Sequence, residues 1–176
     1  MSLSNTFKIF ASVTGSVTGR TYKIDINKIS AIFDENHINC KDGAHSFMRY
    51  IDTDNTVATL PLKEQPAEIV KAIEAQQKKL LGASYAVKAF VPVASAYRGE
   101  MRGYIALDDI HSLSTPSEDA LKKYPSAAST INYNTYGKQE KRINSIESVD
   151  ELEQKIYAIQ EERAKYIRRQ MAAAIF

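Results

Sequence analysis

Cysteine is almost absent from this chain: Cys40 stands alone. An internal disulfide is therefore excluded, and with it the small disulfide scaffold of secreted proteins; a single thiol fits a reducing compartment. Long apolar runs are missing too. No stretch approaches the ~18 residues a membrane span needs, and Met1–Phe10 has neither the basic start nor the apolar centre of an export signal, so the expectation is a cytoplasmic chain with no membrane role. Charge of one sign is also lacking. The 23 basic and 21 acidic residues leave a net charge of +2, too little to attract nucleic acid by bulk field, so any basic footprint has to be local. What is present, 44% hydrophobic and 25% charged residues in 176, is ordinary for a globular protein of one domain or two small ones.

Catalytic signatures are lacking as well. No Gly-x-Ser-x-Gly elbow frames any serine, and His111, beside Asp109, reads as a half-exposed strand histidine. Gly15 and Gly19 flank Ser-Val-Thr, but no Gly-Lys-Ser/Thr follows and the segment leads into a strand. Without a helix N-terminus there is no amide cradle for a phosphate, so this is a hairpin turn. His37, Cys40, Asp42 and His45 gather four potential metal donors within nine positions. Structural zinc, however, draws paired ligands from two separate elements, and Asp42-Gly43 accounts for the segment as a turn. Neither a metal nor another cofactor is expected, and the chain reads as a non-enzyme.

The positive signal is an internal repeat. Tyr22–Ile32 (YKIDINKISAI) aligns with Gly103–Leu113 (GYIALDDIHSL), setting Ile24, Ile26, Ile29 and Ile32 on Ile105, Leu107, Ile110 and Leu113 at an offset of 81. Ser46, Met48 and Tyr50 then meet Ser129, Ile131 and Tyr133 at an offset of 83, which also carries Glu64, Glu68, Ile69 and Ile73 onto Glu147, Glu151, Leu152 and Ile156. The two-residue difference falls in the loop Asp34–His45 against Thr115–Ala128, where insertions are tolerated.

Each copy reads as four strands and a helix. Phe7–Val13 and Tyr85–Val93 alternate as strands. The second strands, Tyr22–Ile32 and Tyr104–Leu113, are interrupted at Asn27 and at Asp108-Asp109 by a bulge or bend. Third strands follow at Phe47–Ile51 and Thr130–Asn134, and fourth strands at Val57–Leu62 and Lys141–Ile146. The helices are announced by Gln65-Pro-Ala-Glu68 and by Ser148-Val-Asp-Glu151, a capping box. They bury Ile69, Ile73 and Leu80 in one copy, and Leu152, Ile156, Ile159 and Ile167 in the other. Thr115-Pro-Ser-Glu118 opens a further short helix. The expected fold is α+β: two tandem ββββα repeats, residues 1–83 and 84–176, with antiparallel sheets backed by helices and a pseudo-two-fold relation. The linker Leu81–Ser84 is short enough to pack the copies together.

The recurring pieces Ile26-Asn-Lys-Ile29 with Lys63-Glu-Gln-Pro66, and Leu107-Asp-Asp-Ile110 with Ile146-Glu-Ser-Val-Asp-Glu151, resemble the small FlbD-type proteins and related phage proteins, doubled. At the level of fold, tandem ββββα units resemble the Whirly and Pur-alpha class of single-stranded nucleic-acid binders. That resemblance implies a curved sheet that offers a basic and aromatic surface to the strand.

Interleaved cations and tyrosines supply candidates for such a surface: Tyr97, Arg98, Arg102, Tyr133, Tyr136, Lys138, Lys141 and Arg142 in the second copy, with Arg20, Tyr22, Lys23, Arg49 and Tyr50 in the first. Tyrosines stack bases at about 1–3 kcal/mol each while cations track phosphates. The bland alternative is that the tyrosines edge the core and the cations solvate the exposed face. The C-terminal helix runs about 25 residues from Val149, roughly 37 Å, longer than the sheet needs. Its acids precede its bases, as the macrodipole favours, and Ile167, Met171 and Ile175 keep an apolar edge fit for a homo-oligomer contact. The reading is a binding protein of phage or mobile-element character that engages single-stranded nucleic acid. The rival is an assembly module acting through sheet edges or that helix.

Overall fold

The computed structural model describes residues 8–34, 43–97, 101–134 and 140–175. Within them the chain is α+β, with ten strands in antiparallel sheets and three α-helices. The first half supplies β1 (Phe10–Thr14), β2 (Thr21–Asp25), β3 (Ile29–Asp34), β4 (Ser46–Ile51), β5 (Val57–Leu62) and α1 (Pro66–Leu81). The second supplies β6 (Phe90–Ser95), β7 (Met101–Ala106), β8 (Ile110–Ser114), α2 (Glu118–Lys123), β9 (Ser129–Asn134), β10 (Glu140–Ser145) and α3 (Val149–Ile175).

The long second strand expected in each half is in fact two strands. A 3-10 turn separates them, Ile26–Lys28 in one half and Leu107–Asp109 in the other. Asp25 caps the first turn by accepting from the Asn27 amide at 3.0 Å. Short polar side chains bond their own backbone in this way and so break a strand. Each half therefore carries five strands rather than four.

The strands pair by the same rules in both halves. Phe10 faces Asp25 across β1 and β2, and Phe90 faces Ala106 across β6 and β7. Met48 opposes Ile32 as Ile131 opposes Leu113, and a register shift interrupts both ladders, at Ile29/Ala31 and at Ile110/Ser112. Ser46 opposes Leu62 as Ser129 opposes Ser145. Between β1 and β5 there is one bridge, Gly15 to Leu62, flanked by bonds from Ser16 N–H to the Pro61 carbonyl and from Lys63 N–H to the Thr14 carbonyl. Between β6 and β10 the match is Ser95 to Ser145, flanked by Ala96 N–H to the Asn144 carbonyl and Ile146 N–H to the Ala94 carbonyl. A carboxylate closes each of these corners: Glu64 accepts from Thr14 N–H at 3.0 Å and Glu147 from Ala94 N–H at 2.9 Å. Eight strands thus form one sheet in the order 5-4-3-7-6-10-9-8, in which β3 pairs with β7 across the halves, and β1 and β2 form a two-stranded sheet tied to β5 by the Gly15–Leu62 bridge.

Two apolar clusters form the core. Ile69, Val70 and Ile73 of α1 pack on Val13, Ile26, Ile32, Met48 and Leu62; Leu152 of α3 packs with Val91, Val93, Ile105, Ile131 and Tyr133. Each fully buried aliphatic side chain contributes about 1.5–3 kcal/mol. Both helix starts are held as expected. Ser148 N–H donates to Glu151 while Glu151 N–H donates to the Ser148 hydroxyl, and Gln65 N–H donates to Glu68. The buried stripes are shorter than the sequence pattern implied. Leu80 is 58% exposed and Ile167 39%. The inward face of α1 turns to Gln77 instead, and α3 runs off its own half after Tyr166.

The seam between the halves depends on one glycine. Gly103 on β7 is directly opposite Phe33 on β3, and a Cβ there would run into the Phe33 ring. Gly103→Ala should cost about 1–3 kcal/mol by overpacking, read as a lower urea midpoint at unchanged m-value. Adding Phe33→Leu should recover part of it; no loss in the single variant would show that the ring moves freely.

Candidate nucleic-acid interface

The strand order places β4 and β9 far apart in the sheet, yet an Arg49 Nη donates to the Tyr133 hydroxyl at 2.9 Å. The sheet therefore curls until these strands approach across its inner side. Arg49 also sits with Cζ 6.0 Å from the Phe33 ring centroid, so the guanidinium is held by a phenol and an aromatic face, and among the described residues no carboxylate pairs with it. Tyr133 is fully buried, and burial raises its pKa while the Arg49 charge opposes the rise.

A cavity of about 270 Å³ opens beside this pair, lined by Arg49, Lys141, Arg142, Tyr97, Tyr124 and Phe33 among others. Three cations face it, and no Asp or Glu lines it among the described residues. Strand β10 supplies Lys141 and Arg142. The turn after β6 supplies Tyr97, whose ring meets Tyr124 edge-on at 5.9 Å between centroids. Tyr124 comes from the end of α2, whose Ser117 cap accepts from Ala120 N–H at 3.1 Å. Lys123 Nζ lies 5.2 Å from the Tyr124 ring centroid. Glu140 approaches Arg142 to 3.7 Å, but both are well exposed, and such a surface pair is worth little.

Two further spaces share residues with this cavity. Arg49 and Lys141 also line a space of about 590 Å³ beside the turn at Asp54–Thr56. Arg142 and Asn144 line another of about 560 Å³ that reaches Thr115 and Ser117. All three are open rather than enclosed, and Lys141 and Arg142, adjacent on β10, divide between the two flanking spaces.

Of the residues singled out in the sequence, Arg49, Tyr97, Tyr133, Lys141 and Arg142 come together here. Tyr133 is sealed in the core, so it positions Arg49 instead of stacking a ligand. Arg102 lines a different cavity with Tyr104, Glu147 and Lys155. Arg98, Tyr136 and Lys138 lie outside the described residues, as do His37 and Cys40 of the donor-rich loop. His45 is exposed, and among the described residues no three His, Cys, Asp or Glu side chains gather as a metal site. Tyr124 was missed: it sits in the connection between β8 and β9, and nothing in its local pattern shows that it meets Tyr97. No helix among the described residues is long and apolar enough to cross a membrane. No family model matches the chain, and no match was found among curated proteins or solved structures.

Proposed function

We propose that this chain is a non-enzymatic protein that binds single-stranded nucleic acid at the open cavities around β10. The observation that carries this reading is the lining of the central cavity, where Arg49, Lys141 and Arg142 surround a tyrosine pair and no carboxylate joins the lining among the described residues. Three cations offset by one exposed ion pair leave a net positive site that attracts a polyanion, and the aromatic pair gives a base something to stack on. The geometry is of the kind implied by the likeness to Whirly and Pur-alpha proteins, and the paired registers support a chain made of two copies of one strand-and-helix unit.

With three phosphate contacts, the logarithm of the binding constant for an oligonucleotide should fall with the logarithm of salt at a slope of about −2, from about −0.7 per contact on single strands. Lys141→Ala with Arg142→Ala should flatten that slope by about 1.4. At about 1 kcal/mol per exposed contact the pair should cost roughly thirtyfold in affinity, while thermal melting stays in place. Fluorescence anisotropy across a salt series decides it: affinity indifferent to salt, or untouched by the double substitution, would remove the reading.

The rival reading, an assembly module, has its own support. Met171 and Ile175 are 63% and 79% exposed on the last turns of α3, a continuous apolar edge on a helix that has left its own half.

A further inference from the structure

The seam inside the chain joins unlike edges. β3, the last strand of the first half's order, pairs with β7, the counterpart of β2. A two-fold pair would place like strands at its centre, so the halves meet head to tail. Such a contact consumes one edge of each half and leaves two others: β8, the last strand of the eight-stranded sheet, and β2, the outer strand of the two-stranded sheet that the Gly15–Leu62 bridge ties to β5. Among the described residues neither pairs with a further strand. A head-to-tail contact that does not close on itself is open to repetition by further copies.

We propose that chains associate head to tail, with β8 of one protomer adding to β2 of the next in the register that β3 and β7 use internally. This rests on the repeat reading and is independent of nucleic-acid binding. Within the chain the seam matches Ala31 to Ile105, Ile32 to Tyr104 and Phe33 to Gly103. Carried over by the repeat offset of 81, it matches Ser112 to Ile24, Leu113 to Lys23 and Ser114 to Tyr22. The carried-over pairs are compatible in size. Where Phe33 covers Gly103, the counterpart sets a small Ser114 against a large Tyr22, so the bulk changes sides without a clash. Leu113 faces Lys23, whose aliphatic stem can lie along it.

The shape of β8 agrees. Edge strands are normally protected by lysine, proline, inward charge or a bulge, and Ile110–Ser114 holds no lysine, proline or acid. It does carry the register shift at Ile110/Ser112. Yet β3 carries the same shift at Ile29/Ala31 and still pairs with β7 directly after it, so the straight part that remains, Ser112–Ser114, is the part the seam uses.

The test mixes two single-cysteine chains, Lys23→Cys and Leu113→Cys, each in a Cys40→Ser background. Under mild oxidation the mixture should give a cross-linked dimer that neither variant gives alone, because the predicted partners sit opposite one another within disulfide reach. Sedimentation of the unmodified chain should show mass rising from 19.7 kDa with concentration up to about millimolar, and deleting Arg168–Phe176 should leave that rise intact. Cross-linking of one variant to itself, loss of association on the deletion, or a constant monomer mass would each overturn the proposal. The oligonucleotide titration stands or falls separately.

Discussion

Gln77→Ala should destabilise the fold by about 4 kcal/mol or more. Gln77 is fully buried on α1, where its Oε1 accepts from both the Val87 and Lys88 amides at 2.9 Å and its Nε2 donates to the Lys88 carbonyl at 2.8 Å. One side chain therefore satisfies three backbone groups of the segment that enters β6, where Val87 and Lys88 are themselves buried. Truncation leaves those groups without partners, at about 1–3 kcal/mol each, and opens a void besides. For a chain of this length the loss corresponds to about 8–16 °C in Tm. Gln77→Met separates the causes, since it restores volume but not the hydrogen bonds. If hydrogen bonding dominates, methionine melts with alanine; a methionine variant as stable as the parent would assign the role to packing alone.

That residue also marks where pattern reading stops. The apolar spacing Ile69, Ile73 marks the inward face of α1, and the same pattern points on to Leu80, which is exposed. The helix instead turns Gln77 inward, because its partners are backbone groups of a segment ten residues on, and no local period encodes them. Strand positions were legible where alternation and turn residues coincide, as at Val57–Leu62. The interruption at Asn27 and at Asp108-Asp109 was visible too, but that it divides the strand was not: Asp25 caps the first turn, while at the second Ala106 offers no side-chain cap and the strand divides all the same. Strand order was not legible. The β3–β7 seam and the Arg49–Tyr133 bond join residues far apart in sequence, and both follow from how the halves dock. The site was half visible for the same reason. Lys141 and Arg142 announce themselves as adjacent cations, but only the curled sheet brings Arg49 to them and sends Arg102 elsewhere.

The strongest pH effect is expected from Asp109→Asn. Lys88 is 5% exposed, with its Nζ 3.3 Å from the Asn27 carbonyl, so one ammonium ties the 3-10 turn of the first half to the entry of the second. Burial pulls the Lys88 pKa below its ordinary 10.5; Asp109, Asp108 and Asp25 oppose the fall and Arg163 adds to it. Asp109 shows the converse: burial lifts it from 3.8 to about 6, with Lys88 holding it down and Asp108 pushing it up. The signs follow by linkage. A carboxyl raised in the folded state binds protons the unfolded chain has released, so its part of the stability falls as pH climbs from about 3.8 to 6. A lysine lowered in the folded state gives the opposite slope, and stability rises with pH over the window that ends at 10.5. Asparagine removes the first slope and steepens the second, because Lys88 loses the charge that most offsets its burial. The two charges attract through space without a contact ion pair, so the loss stays below the cost of breaking a buried pair, at about 1–3 kcal/mol at neutral pH. Lys88→Met in the Asp109→Asn background should return most of it, since two neutral groups leave no charge stranded. Denaturation at pH 5, 7 and 9 completes the double-mutant cycle. Additive losses, or an Asp109→Asn variant whose stability does not climb between pH 7 and 9, would mean that the two charges do not sense each other across the turn.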